Sequence, residues 1–232
     1  MASVPPPAVP RLNGYPTSDG KPMAETDWHR ELMFDLIHAL ARYYADQPRV
    51  YVAGNLLLFY EKGNRRKHVS PDVFVVRGVP KHQRPNYLLW EEGRAPQFVI
   101  ELTSSSTRNE DTRTKRQLYQ DTLKVREYFL FDPDGDYLDP PLQGYRLHQG
   151  TYRRIRPMQG RLPSQVTGLH LERDGRALRL WSLQTGAWLP TPEERADQAE
   201  EERDAVRGEL EQLRRQYEEL LNQRKRGGNG QG

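Results

Sequence analysis

At 232 residues the chain is long enough for one domain of ordinary size with appendages. It has no cysteine, which excludes disulfide staples and thiolate metal sites, and a net charge of +3 from 35 basic and 32 acidic residues singles out no class of partner. No apolar run approaches the roughly 20 residues needed to cross a bilayer, and "MASVPPPAVPRL" lacks the basic start and apolar stretch of a secretory signal. A cytoplasmic protein with no membrane contact is therefore expected.

Residues 1–22, rich in proline, read as a disordered or extended arm. From about Glu25 the pattern turns helical, with Trp28, Leu32, Leu36, Ile37 and Leu40 recurring at spacings of three and four. Thr26 or Asp27 can cap that helix, and Pro48 lies beyond its end. "RVYVAGNLLLFYEKGN" then reads as a hairpin: strand, glycine break, strand, and a turn at Gly63-Asn64. The apolar run "SPDVFVV" (Ser70–Val76) is a strand led by Asp72, residues 78–94 are a polar loop, and "APQFVIELTSSST" (Ala95–Thr107) is a strand holding Glu101.

"SSSTRNEDTRTKRQLYQDTL" is expected to be helical, with Thr107 and Glu110 spaced as a capping box. "REYFLFDP" is another buried strand, and from Leu142 to Leu189 short strands alternate with Gly, Pro and Asp-Gly turns as a meander. This order predicts an α/β or α+β core with a mixed sheet, spanning residues 23–190. In the tail, "TPEE" at Thr191–Glu194 supplies a cap, a first-turn proline and a capping-box glutamate. Ala199, Arg203, Val206, Leu210, Leu213, Tyr217 and Leu220 then alternate spacings of four and three, as in a coiled-coil seam over about three heptads. A single solvated helix over 191–226 explains them too, and 227–232 is a frayed end. The tail carries 8 basic and 11 acidic residues, leaving the body 27 and 21, a mildly basic balance that suits a polyanion weakly.

The chemistry concentrates on the two strand-borne acids. Mg²⁺ takes oxygen ligands and commonly only one or two protein carboxylates, keeping waters and phosphate oxygens. Asp72 and Glu101 can converge if their strands pair, since neighbours lie roughly 5 Å apart, and the Leu102 carbonyl is a candidate third ligand. Asp111, Lys115 and Tyr119 stand at i, i+4 and i+8 on one helical face, which a short loop can turn back toward the acids. Lys115 is the candidate to orient an attacking water, and Tyr119 a supporting or phosphate-contacting group. Each has a plainer reading. A Pro-Asp step is ordinary turn chemistry, Asp111–Lys115 can be a surface pair, and Tyr119 can be core. Glu31, a candidate extra ligand on the first helix, and His29 are equally explained by a solvated face. Glu101 is harder to dismiss, because an acid within "FVIEL" needs a partner when buried.

Together, "SPDVFVV", "APQFVIELTSSST", the D-x-x-x-K-x-x-x-Y pattern at Asp111–Tyr119 and "VREYFLFDP" resemble the bacterial family described as putative restriction endonucleases, within the PD-(D/E)XK nuclease superfamily. The resemblance spans roughly residues 15–190 and includes the helix around His29, and the polar helical tail is similar to extensions in that family. It implies a restriction-endonuclease-like core, with a mixed central sheet flanked by helices, extra β-hairpins and a long C-terminal helix. It further implies Mg²⁺-dependent (or Mn²⁺-dependent) endonuclease cleavage of nucleic acid, DNA in the first instance, with Asp72 and Glu101 as the motif acids. The lysine expected two residues after the glutamate is Thr103 here, and Lys115 on the following helix stands in for it. A homo-oligomer, a dimer aided by the C-terminal helix, is expected. The competing readings are a catalytically silent nucleic-acid-binding or scaffold protein, and a partner protein working through the coiled coil.

Overall fold

A computed structural model describes residues 11–12, 14–18, 26–104 and 107–228, with side chains described from 14 to 219. Residues up to Leu189 form one compact unit and those from Pro190 onward a second. In the first, two short strands, β1 (Arg11–Leu12) and β2 (Tyr15–Pro16), pair antiparallel and precede helix α1 (Asp27–Tyr43). Strands β3 (Val50–Ala53), β4 (Leu58–Phe59), β5 (His68–Val69), β6 (Val73–Arg77) and β7 (Tyr87–Leu88) follow, then the short helix α2 (Leu89–Glu92) and strand β8 (Phe98–Leu102). A helical segment over residues 108–122 leads to β9 (Glu127–Phe131). The meander comprises β10 (Leu142–His148), β11 (Thr151–Arg154), β12 (Leu162–Pro163), β13 (Leu169–Asp174), β14 (Ala177–Ser182) and β15 (Ala187–Trp188).

The central sheet is mixed, in the order β11-β10-β9-β8-β6-β3, and β8–β9 is its one parallel pair among the described residues. A parallel pair requires a crossover, and the segment 108–122 supplies it. Both faces of the sheet are covered, which is why its strands read as unbroken apolar runs. On one face Val73, Val75, Phe98, Ile100 and Phe129 pack with Leu32, Met33, Leu36 and Leu40 of α1 and with the separate sheet β12–β15. On the other, Phe74, Val76, Val99, Tyr128 and Leu130 pack with Tyr119 and Leu123 of the crossover and with Leu58, Val69 and Tyr87 of the small sheet β5-β4-β7.

Thr26 caps α1 by accepting from His29 N–H, as its position predicts. The structure corrects four local expectations. Val50–Ala53 and Leu58–Phe59 are not a hairpin: β3 pairs with β6, while β4 pairs with β5 and β7. The chain leaves the central sheet at Gly54, and Asn55 takes a left-handed φ of 48°. The loop 78–94 is not wholly irregular, since it contains β7 and α2. Thr107 spends its hydroxyl on Ser104 N–H at 3.0 Å rather than on a capping box with Glu110. Finally, part of the proline-rich arm is held to the body: the Tyr15 ring lies 4.9 Å from that of Phe59, and its hydroxyl accepts from Gly63 N–H. Residues 1–10, 13 and 19–22 of that arm lie outside the described residues, as do 23–25 at the start of the expected core and 229–232 of the frayed end.

The second unit is one helix, α3 (Pro192–Gly228). Its capping box forms reciprocally: Glu194 N–H donates to the Thr191 hydroxyl and Thr191 N–H to the Glu194 carboxylate. No described helix of the chain is long and apolar enough to cross a membrane.

Candidate active site

Strand alternation decides which acid can meet which helix. In β8 the side chains of Phe98, Ile100 and Leu102 face α1, so Val99 and Glu101 face the crossover segment. The β6–β8 register pairs Val73 with Ile100. Continued by one residue, it sets Asp72 beside Glu101. Here the ladder gives way to side-chain bonds: Leu102 N–H donates to Asp72 Oδ2 at 2.7 Å, and Asp72 N–H points at Glu101 Oε2 at 3.4 Å.

The backbone of Gly54 allows this approach. A Cβ there would lie 1.9 Å from the Asp72 carbonyl oxygen and 2.6 Å from Ile37 Cδ1, so no other residue fits without displacing the Asp72 main chain. Asn55 N–H donates to the Pro71 carbonyl at 2.8 Å and fixes the same stretch. Gly54 reads in the sequence as a mere strand break. Nothing in the one-dimensional pattern marks it as the residue against which Asp72 rests.

The crossover segment supplies the rest. It is wound as a π-helix over Glu110–Lys115 and Leu118–Thr122, a rare geometry that recurs at functional sites. Lys115 Nζ lies 2.9 Å from Glu101 Oε2 and 3.0 Å from Asp111 Oδ1. The Tyr119 hydroxyl donates to Glu101 Oε1 at 2.5 Å, and the Tyr128 hydroxyl anchors the segment by donating to the Asp111 carbonyl. From α1, His29 Nε2 approaches Asp72 Oδ2 at 3.7 Å. Glu101 is fully buried, whereas the side chains of Asp72, His29 and Lys115 keep 13–14% of their surface and form the opening of the cluster.

Charge is unevenly matched. Burial together with the negative charges of Asp72 and Asp111 holds the Glu101 carboxyl well above the ordinary carboxylate range, although Lys115 opposes this. Asp72 goes the other way: burial disfavours its charge, but His29, Lys115 and the Leu102 N–H outweigh it and hold its pKa below the usual value. Burial alone would neutralise Lys115, yet the three surrounding carboxylates keep it firmly protonated. Burial and the Glu101 charge raise the Tyr119 hydroxyl, so it remains a donor.

Asp72, Glu101, Lys115 and Tyr119 are thus brought into one cluster, and Asp111 and His29 join it. Glu31 is not: it is exposed, and at two residues from His29 it projects about 200° around the helix from it. At Leu102 it is the N–H, not the carbonyl, that the structure ties to Asp72. Thr103 is buried, its N–H donating to the Phe131 carbonyl, and the ammonium in this cluster comes from Lys115.

Among the described residues no set of three or more His, Asp or Glu side chains forms a cage for an ion. The donors nonetheless suit a hard cation that needs only one or two carboxylates. Three carboxylates surround a single ammonium, which Glu101 Oε2 and Asp111 Oδ1 share. A divalent ion held by Asp72 and Glu101 would offset that surplus of negative charge.

The model of a family described as "Uma2: Putative restriction endonuclease" matches residues 11–174, more than two thirds of the chain. Among solved structures, one described as a putative nuclease belonging to DUF820, from Anabaena variabilis, is similar at 20% identity with a TM-score of 0.46, covering 67% of this chain and 85% of that one. No curated protein matches the chain.

Proposed function

This chain belongs to the Uma2 family of putative restriction endonucleases, and on that premise we propose that it is a metal-dependent endonuclease hydrolysing phosphodiester bonds in nucleic acid, with DNA as its substrate. The observation that carries this reading is the buried contact of Glu101 with Lys115, one strand away from Asp72. Asp72 and Glu101, with the Leu102 carbonyl alongside, would hold Mg²⁺ or Mn²⁺, whose contribution is to polarise the scissile phosphate and acidify the attacking water.

The remaining roles belong to the chain itself. Asp72 stays ionised because His29, Lys115 and the Leu102 N–H favour its charged form. Because the Glu101 carboxyl is held well above the ordinary carboxylate range, an ion bound there competes with a proton, so ion affinity rises with pH. Lys115 Nζ would donate toward the attacking water and offset the negative charge on the phosphate oxygens as phosphorus becomes five-coordinate. Asp111 and Tyr119 are positioning residues: the first fixes Lys115, the second fixes Glu101.

The test is incubation of the purified protein with plasmid, single-stranded DNA and RNA in Mg²⁺ or Mn²⁺, beside Asp72→Asn and Lys115→Ala. Metal-dependent cleavage of DNA that both substitutions remove supports the assignment. Cleavage that survives both sinks it. A second reading, a nucleic-acid-binding protein that does not cut, is favoured by one observation: Glu101 is wholly buried, with its two oxygens already bonded to Lys115 and Tyr119. Binding to DNA without cleavage under any metal would select it.

A further inference from the structure

Helix α3 carries exposed apolar side chains: Val206, Leu210, Leu213 and Tyr217 are 64%, 48%, 63% and 62% exposed. They continue a seam in which Ala196, Arg203, Leu210 and Tyr217 occupy a positions and Ala199, Val206 and Leu213 occupy d positions. The flanking charges say what covers it. Arg195, Glu202 and Glu209 fall at g, and Glu200, Arg207 and Arg214 fall at e. In a parallel, in-register pair each g residue meets the e residue five positions on in the other copy. Arg195 then meets Glu200, Glu202 meets Arg207, and Glu209 meets Arg214, and every pairing is of opposite sign. With one helix reversed, a and d positions oppose each other, g meets g and e meets e. Glu209 then faces the partner's Glu209 and Arg207 faces the partner's Arg207, two like-charge contacts against two attractive ones of Glu200 with the partner's Arg214, where the parallel pair has six attractive contacts. The charges therefore select one orientation.

We propose that α3 pairs with the α3 of a second copy of this chain as a parallel, in-register, two-stranded coiled coil. A charged residue at a single a position, Arg203, costs stability but helps fix register, and Glu202 of the partner subunit lies beside it to accept its charge. The three heptads are short, so the pair is concentration-dependent. Parallel pairing also has a consequence that rests on the nuclease reading: both bodies are joined through the chain to the same end of the coil, so a dimer carries two copies of the candidate site.

Because the chain has no cysteine, the orientation can be tested without background. In a parallel coil the full-length Val206→Cys protein and the full-length Leu213→Cys protein each self-link on mild oxidation. An antiparallel coil opposes Val206 to Leu210, so linking confined to mixtures of Val206→Cys with Leu210→Cys overturns the proposal, as does a protein that sediments as a monomer at high concentration. Reversing Glu202→Arg with Glu209→Arg, or Arg207→Glu with Arg214→Glu, should weaken self-association about tenfold, since each exposed pair is worth only a few tenths of a kcal/mol and four are turned repulsive. Mixing the two doubly substituted chains should restore it as a heterodimer, and failure to do so also overturns the proposal. Neither readout depends on cleavage, so loss of the dimer and loss of the nuclease reading are told apart.

Discussion

Two neighbouring strands of the central sheet each bury a glutamate, and the two are treated in opposite ways. Glu127 opens β9 and Glu101 sits near the end of β8; both are at most 1% exposed. Glu127 is enclosed by donors: Arg146 Nε at 2.7 Å, the Ser164 hydroxyl at 2.5 Å, Gln165 N–H at 2.9 Å and Val166 N–H at 3.2 Å. It ties β9 and β10 to the loop before β13, and no second carboxylate contacts it among the described ion pairs. Glu101 has one ammonium, one hydroxyl and the more distant Asp72 N–H at 3.4 Å, with two further carboxylates in its field. A buried acid is therefore not by itself the sign of a site. Structural acids are matched by donors, whereas Glu101 shares its one ammonium with Asp111 and has Asp72 beside it.

The largest effect expected from that contrast is on catalysis. Glu101→Gln should lower cleavage by about 10³-fold or more, since several kcal/mol of phosphate and water activation go with the ion, and the melting temperature should hold or rise as a crowded buried charge disappears. Glu127→Gln should do the reverse. It turns an amide N–H₂ toward backbone donors and deprives Arg146 of its carboxylate, at a cost of about 2–4 kcal/mol, read as a fall of roughly 5–15 °C in melting temperature for a chain of this size. Equal melting losses for the two substitutions would erase the distinction.

Next in size is the response to metal. Mg²⁺ or Mn²⁺ at about 100 times its dissociation constant should stabilise the protein by about 2.7 kcal/mol. Glu127→Gln should keep that increment and Asp72→Asn should lose it, with thermal melts in metal and in chelator as the readout.

Smaller still is the pH dependence without metal. The Glu101 pKa is raised in the folded state, so its contribution is present below the ordinary carboxylate range and is lost as pH rises toward the raised value. That of Asp72 is depressed, so its contribution is present above the ordinary range and is lost as pH falls through the lowered value. Just above the ordinary range the two therefore act oppositely: Asp72 holds its gain while Glu101 costs stability with each step up in pH. Asp111→Asn removes one of the charges that raise Glu101, so denaturant titrations across that range should show a flatter fall, and metal binding should extend to lower pH. The smallest effect is expected of Tyr119→Phe, at most about tenfold in rate, because Lys115 still holds the other Glu101 oxygen.

Much of the fold was legible because both faces of the sheet are covered: continuous apolar runs such as Val73–Val76 and Phe98–Ile100 can only be buried strands. The capped helices were legible from Thr26 and from Thr191 with Glu194, whose side chains satisfy orphan N–H groups locally. Pairing was not. The false hairpin at Val50–Phe59 looked right because apolar strand, glycine and apolar strand is also the pattern of two strands that belong to different sheets. At the site, the i, i+4, i+8 face of Asp111, Lys115 and Tyr119 was readable from spacing. His29 and Glu31 could not be separated without knowing which side of α1 meets Asp72.

By itself, the sequence determined the elements that local rules govern: strand runs, caps, the crossover helix, the heptad tail, and the residue types able to hold a hard cation and orient water. The tertiary structure decided everything that depends on register and close approach. It set Asp72 one step beyond the Val73–Ile100 pair. It required glycine at position 54 because the Asp72 carbonyl occupies the space a Cβ would need. It also made one buried glutamate a strut and the other a crowded acid. Such differences lie in which atoms come within about 3 Å of a carboxylate, and partners far apart along the chain leave no periodic trace in it.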